Sequence, residues 1–157
     1  MKTQIGFKPE NSVQVADALN KLLSDEHVLY IKTRNAHWNV EGPDFASVHK
    51  FFEGQYAELA EIIDNVAERI RSIGHYAEGT MEDYLKLTQL NEKSIEGNDS
   101  LVYIKELLSD HEAVIIELRE NIIRFSDEFQ DLGSSDFITG LMETHEKMAW
   151  MLRAHLK

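Results

Sequence analysis

Five side chains in the first half of the sequence are of the types that bind redox metals. They are two imidazoles and three carboxylates: His37, His49, Glu53, Asp64 and Glu68. Imidazole and carboxylate ligands suit iron, manganese or zinc, and an iron-oxidising site needs such ligands with coordination positions left open for the oxidant. The set therefore indicates a metal centre with redox chemistry.

The spacing of these residues divides them into two halves. His49 and Glu53 stand at positions i and i+4 of a predicted helix, so they share one face. Asp64 and Glu68 repeat this spacing on the same side of the helix, within a sector of roughly 100°. The step from Glu53 to Asp64 is roughly 16 Å at a helical rise of about 1.5 Å per residue, too long for one metal centre. Either the two pairs are unrelated, or two half-sites meet between subunits across a two-fold axis, which we favour.

Simpler roles exist for these residues when each is considered alone. His37 could be a hydrogen-bonding group at a helix end. Asp64 and Glu68 could be a solvated face, with arginines close to Glu68 in sequence. Only the joint spacing favours a metal site.

A di-iron core within one chain is not expected. The usual di-iron bundle carries Glu-x-x-His motifs directed into its own core, and no glutamate of this sequence is followed three residues later by histidine. His111 and His145 lie on apolar helix stripes, and we expect them to be core or interface residues.

Composition excludes several classes of protein. The chain has 157 residues and a formal net charge of -12, which opposes attraction to phosphate backbones or anionic lipid. It contains no cysteine, which leaves His, Asp and Glu as metal ligands. There is no signal-peptide core and no apolar run long enough to span a membrane, so we expect one soluble, cytoplasmic domain covering residues 1–157.

Apolar periodicity predicts four long helices and one short one. Helix A begins at Asn11 or Ser12 and ends near Val40, and helix B runs from Pro43 or Asp44 to a glycine stop at Gly74. The remaining elements are a short helix over 80–87 capped by Thr80, helix C capped by Asp99 or Ser100 and ended by the segment 126–135, and helix D from Ile138 to the C-terminus.

These elements predict an all-α fold. Four amphipathic helices with a long connection between B and C, which carries the short extra helix, are typical of a ferritin-like four-helix bundle. An up-down bundle with a decorated loop is the alternative, because sequence alone does not give helix directions.

At these residues the chain resembles the Dps family of mini-ferritins, the DNA-binding proteins from starved cells. The matching pattern is His37-Trp38-Asn39-Val40, then Gly42, Phe45, His49 and Glu53, the run IDNVAERIRSIG over 63–74, and LMETHEKMAWMLRAHL over 141–156. The likeness covers nearly the whole chain. Glu53 departs from the family, in which aspartate is commonest, and this puts the metal geometry in doubt.

The resemblance implies a dodecameric shell that oxidises Fe(II), preferably with hydrogen peroxide, stores ferric iron and protects against oxidative stress. By this match His37, His49 and Glu53 bind iron from one subunit, while Asp64 and Glu68 complete the site from its partner. Trp38 would supply an electron or quench a radical, although packing at a helix end is the alternative.

Iron entry and DNA binding are the remaining expectations. Asp127, Asp131 and Asp136 resemble the acidic lining of the family's three-fold pores, with an ordinary acidic loop as the alternative. DNA-condensing members use lysine-rich tails, whereas this N-terminus offers only Lys2 and Lys8, so we expect weak or no DNA binding.

Two other functions compete with the ferroxidase. One is a nucleoid-associated, DNA-protecting protein with a vestigial metal site. The other is a bundle that uses an unrelated metal, with zinc as a competitor because it accepts the same ligands.

Overall fold

The computed structural model describes residues 3–93 and 96–157. The described residues form five α-helices and one π-helical turn. They are α1 (Pro9–Asn39), α2 (Phe45–Ser72), α3 (Met81–Leu87), α4 (Ser100–Ile123), the π-helical turn (Arg124–Glu128) and α5 (Leu132–Ala154). Among these residues the only β-type pairing is an isolated bridge between Glu41 and Asp99.

The helix ends follow from local chemistry. Thr80 caps α3 by accepting a hydrogen bond from the Asp83 backbone N–H, and Asp99 caps α4 in the same way through Leu101, as the sequence predicted. Gly74 has φ +96°, a left-handed conformation that ends the helical path of α2. The position also requires glycine, because a Cβ there would lie 2.5 Å from Thr3 Oγ1.

Three boundaries differ from the sequence prediction. α1 begins at Pro9, because a proline at the first helical turn presets φ and lacks only an N–H that would have no partner there. α4 continues into the π-helical turn instead of ending in a loop. α5 begins at Leu132, well before Ile138, because the Asp131 carboxylate caps it by accepting from Ser134 N–H at 2.9 Å.

The helix directions confirm the crossover between the second and third long helices. At one end of the bundle, Ser100 at the start of α4 donates a hydrogen bond to Asp44 before α2 (2.6 Å). At the other end, His75 after α2 lies 3.0 Å from Ser12 near the start of α1. Helices α2 and α4 therefore begin at the same end and run parallel, and their connection crosses the length of the bundle. This is the ferritin-like arrangement, and the up-down alternative is wrong.

The core lies between the α1–α2 pair and the α4–α5 pair, and α3 packs on α1. Burial of large apolar side chains stabilises it, each by about 1.5–3 kcal/mol. Its largest fully buried members include Leu19, Leu29, Phe52, Leu59, Ile70, Ile104, Leu118, Phe125, Ile138 and Leu152. In the described part of the chain, no helix is both long and apolar enough to cross a membrane.

A polar chain crosses this core. His111 of α4 and His145 of α5 are fully buried, with 2.9 Å between their Nδ1 atoms, and His145 Nε2 lies 2.8 Å from Glu26 Oε1 of α1. Both histidines are thus core residues. The three side chains join three helices of the bundle.

Candidate metal centre

His37 and His49 form a stacked and hydrogen-bonded pair at the α1–α2 turn. Their imidazole rings stack with centroids 3.8 Å apart. His37 donates from Nδ1–H to the His49 backbone carbonyl at 2.8 Å, and His49 donates from Nδ1–H to the His37 carbonyl at 2.8 Å. Because a carbonyl oxygen can only accept, both protons are assigned to Nδ1. In a neutral imidazole with this tautomer, Nε2 is the nitrogen whose lone pair can bind a metal.

Glu53 lies one turn after His49 and joins this pair. The hydrogen bond and charge of Lys50 lower the pKa of Glu53, with smaller contributions from the nearby His37 and His49. Glu53 in turn raises the pKa of Lys50. The structure thus brings two of the five predicted ligands, His37 and His49, into contact, while the Glu53 carboxylate lies near them and pairs with the Lys50 ammonium.

Asp64 and Glu68 lie apart from this group, further along α2, and both are exposed. The arginines close to Glu68 bind elsewhere: Arg69 contacts Ser134 at 3.0 Å, and Arg71 donates to the His75 carbonyl at 2.7 Å. Among the ion pairs of residues 3–93 and 96–157, none involves Asp64 or Glu68. The second pair is therefore a free carboxylate face on the same helix.

One chain does not bring the two halves together. Within the described residues, no group of three or more His, Asp or Glu side chains has the arrangement of a metal site. The helical rise between the two pairs accounts for this separation.

Aromatic rings surround the histidine pair. Tyr56 meets the His37 ring edge to face at 5.2 Å between centroids, and Phe45 lies 5.1 Å from the His49 ring. Phe45 is the first residue of α2 and is 45% exposed. Trp38 is 60% exposed, and the Arg34 guanidinium lies 4.8 Å from its ring centroid.

Sequence reasoning missed three contributors to this site, which are Arg34, Lys50 and Tyr56. Lys50 could have been found from its i, i+3 spacing to Glu53. Arg34 stands four residues from both Tyr30 and Trp38 on α1, and its guanidinium also covers Tyr30 and Tyr56. This spacing was the available signal.

The acidic residues between α4 and α5 have different environments. Asp127 in the π-helical turn and Asp136 in α5 are exposed. Asp131 is buried, where it caps α5 and pairs with Arg69 at 3.4 Å. Of the three residues predicted to line a pore, Asp127 and Asp136 therefore have exposed side chains, while the Asp131 side chain caps α5.

Comparison with known proteins agrees with the bundle. Residues 16–157 match the family model described as the ferritin-like domain. Together with the crossover topology, this match defines the chain as a ferritin-like protein.

The similar proteins narrow this class. The chain is 42% identical over 156 residues to a low temperature-induced protein of Nostoc sp., covering 99% of this chain and 87% of that protein. It is 37% identical to DNA protection during starvation protein 2 of Bacillus anthracis, covering 91% of this chain and 97% of that protein. The crystal structure of a Dps protein from Vibrio cholerae O1 superposes with a TM-score of 0.92 at 31% identity, covering 100% of this chain and 98% of that chain. The chain belongs to the Dps family.

Family membership carries a general function. The Vibrio cholerae structure is described as a member of a broad superfamily of ferritin-like diiron-carboxylate proteins, which implies iron binding. Iron storage and DNA protection are the general roles of the family.

Proposed function

We propose that this protein is a mini-ferritin ferroxidase, which oxidises Fe(II) with hydrogen peroxide and stores ferric iron in a dodecameric shell. The observation that carries this proposal is the reciprocal hydrogen bonding of His37 and His49. Because Nδ1 of each ring is engaged by a backbone carbonyl, Nε2 is the nitrogen left for a metal, which supports this proposal.

The proposed substrate is iron, and the overall reaction is balanced. Two Fe(II) ions each give one electron to hydrogen peroxide, which takes up two protons and yields two waters. Neutral imidazole and carboxylate ligands suit both iron oxidation states, and the absence of thiolate disfavours a soft-metal site. Zinc accepts the same ligands and should compete with iron.

The second half of the site is proposed to come from another subunit. Asp64 and Glu68 present free carboxylates on α2, the helix that also bears His49 and Glu53. In an isologous dimer each surface is used twice, so two complete sites arise together. The net charge of -12 per chain concentrates cations around such a shell. We place Asp127 and Asp136 at the point of iron entry.

An Fe(II) oxidation assay tests the ferroxidase. After anaerobic loading and peroxide addition, ferric absorbance should rise much faster with the wild-type protein than in buffer or with the His37→Ala/His49→Ala variant. His155→Ala is the matched control, because His155 is an exposed histidine outside the site. If the double variant oxidises iron as fast as wild type, the proposal is wrong.

Mixed assemblies test the shared site. The His37→Ala/His49→Ala chain and an Asp64→Ala/Glu68→Ala chain each lack one half-site, so each should be inactive alone. Refolded together in equal amounts, they form mixed pairs in which one site has both halves intact. Activity should then return to about a quarter of wild type if pairing is random. No recovery in verified mixed shells would place both halves in one chain.

DNA binding is proposed to be weak or absent, although relatives are named for DNA protection. The charge of -12 per chain makes contact with phosphate unfavourable at physiological salt. Plasmid should migrate unchanged on a gel at neutral pH without divalent metal. A retarded band that disappears with added salt would contradict this proposal.

A further inference from the structure

Tyr56 is the tyrosine of α2 that reaches the histidine pair. Its ring meets the His37 ring at 5.2 Å between centroids and 76° between planes. It is half-buried and lies one turn after Glu53. Tyr56 is therefore in van der Waals range of the imidazole proposed to bind iron.

Trp38 is less well placed for electron transfer to the site. Among the described ring pairs, none joins it to His37 or His49. Its ring lies instead beside the Arg34 guanidinium, 4.8 Å away. Removing an electron from an indole leaves a cation radical, which this fixed positive charge opposes.

Tyrosine oxidation differs because the phenol loses its proton together with the electron. The product is a neutral phenoxyl radical, which Arg34 does not repel although it lies 4.9 Å from the Tyr56 ring. Tyr30 stands next in line, 6.2 Å from Tyr56 and perpendicular to it, and its hydroxyl accepts a hydrogen bond from Arg34 Nη1 at 2.7 Å. The two tyrosines form a short path from His37 into α1.

We propose that Tyr56, and not Trp38, gives an electron to the peroxide reaction when only one Fe(II) occupies the site. This inference rests on the proposed ferroxidase function. Hydrogen peroxide takes two electrons and two protons and yields two waters. Fe(II) supplies one electron and becomes Fe(III), Tyr56 supplies the other with its phenolic proton, and solvent supplies the second proton.

This reaction prevents a damaging alternative. One Fe(II) alone can give peroxide only one electron, which yields Fe(III), hydroxide and a hydroxyl radical. An electron from Tyr56 completes the reduction and leaves a radical confined to the protein. A shell with only one Fe(II) per site is thereby protected from hydroxyl radical.

Freeze-quench electron paramagnetic resonance tests this assignment. Assembled protein with one Fe(II) per site is mixed with hydrogen peroxide, and the tyrosyl radical is measured. The signal should be lost in Tyr56→Phe and retained in Trp38→Phe. Tyr76→Phe is the matched control, because Tyr76 is an exposed tyrosine that also carries a guanidinium over its ring, that of Arg71 at 4.3 Å.

Two further measurements make the result decisive. Ring-deuterated tyrosine in the wild-type protein should remove the ring-proton hyperfine splitting, which assigns the radical to tyrosine without any substitution. Spin trapping should detect more hydroxyl radical from Tyr56→Phe than from wild type. An unchanged radical in Tyr56→Phe, or its loss in Trp38→Phe, would overturn the inference.

The same samples separate this inference from the proposed function. With two Fe(II) per site, wild type and the Tyr76→Phe control should both form ferric iron faster than buffer. If both do so and neither forms a tyrosyl radical at one Fe(II) per site, only the role of Tyr56 fails. If wild type does not oxidise iron faster than buffer, both proposals fail.

Discussion

Replacing His111 with asparagine should reduce the loss of stability that this protein undergoes in acid. With the Glu26 carboxylate as acceptor, His145 donates from Nε2 and accepts at Nδ1 from His111 Nδ1–H. His111 Nε2 is then a bare nitrogen, buried without a partner among the described residues. A proton added there would create a cation inside the core.

The magnitude follows from proton linkage. Burial first, and the electrostatic effect of the neighbouring His145 second, lower the pKa of His111 well below its ordinary value of 6.5. The unfolded chain therefore binds this proton more readily than the folded one. The contribution of His111 to the free energy of unfolding is fully present above pH 6.5 and is lost as the pH drops towards the pKa of His111 in the folded chain. At about 1.36 kcal/mol per pH unit, the loss reaches up to about 2 kcal/mol near pH 5.

Guanidinium unfolding followed by circular dichroism measures this effect. Wild type and His111→Asn should be compared near pH 7.5 and near pH 5 at one protein concentration, because assembly also changes apparent stability. Burial raises the pKa of Asp110 and Glu117, which acts in the opposite sense, and lowers that of His27. These groups are common to both proteins and cancel in the difference.

The difference between the two proteins therefore decides the matter. His111→Asn keeps a side chain able to hydrogen-bond to His145 but cannot take up a proton in this range. Its free energy of unfolding should fall less between the two pH values than that of wild type. Equal pH dependence in both proteins would refute the assignment, and His155→Asn, at an exposed histidine, should behave as wild type.

Two further predictions concern the site and the end of α2. Lys50→Gln should strengthen anaerobic Fe(II) binding measured by calorimetry, because the lysine no longer competes for the Glu53 carboxylate. Lys50→Arg is the control, because it keeps the ion pair. Weaker binding in Lys50→Gln would show that Lys50 assists metal binding. Gly74→Ala should lower the free energy of unfolding by about 1–3 kcal/mol, because φ is +96° and the new Cβ would clash with Thr3. Gly54→Ala within α2 is the control, with nothing within 4 Å of a new Cβ, and should not destabilise.

Periodicity predicted the long helices and their core faces, because amphipathic helices repeat their apolar residues at a fixed spacing. Helix directions could not be predicted in this way. They depend on contacts between residues far apart in sequence, such as Asp44 with Ser100 and Ser12 with His75. The early start of α5 was missed because its first turn depends on the Asp131 cap and not on apolar residues.

Ligand types and their split were also predictable, because i, i+4 spacing and helical rise are independent of tertiary structure. The structure brings His37 and His49 into contact, while the metal site itself stays a prediction. The tautomer of each imidazole was not predictable, since it depends on hydrogen bonds to backbone carbonyls across the α1–α2 turn. Lys50 and Tyr56 were overlooked because each reads as an ordinary surface or core residue on a helix.

The crossover connection and the histidine pair are mechanically linked. The reciprocal hydrogen bonds require the last turn of α1 and the second turn of α2 to stay in register across residues 40–44. That turn is held from outside: Glu41 N–H donates to the Asn98 carbonyl at 2.8 Å, and Asp44 accepts from Ser100 at 2.6 Å. Both anchors belong to the end of the long connection and the start of α4. We infer that the ferritin-like crossover has two roles. It sets the order of the helices, and it holds in place the turn whose backbone carbonyls set the imidazole tautomers.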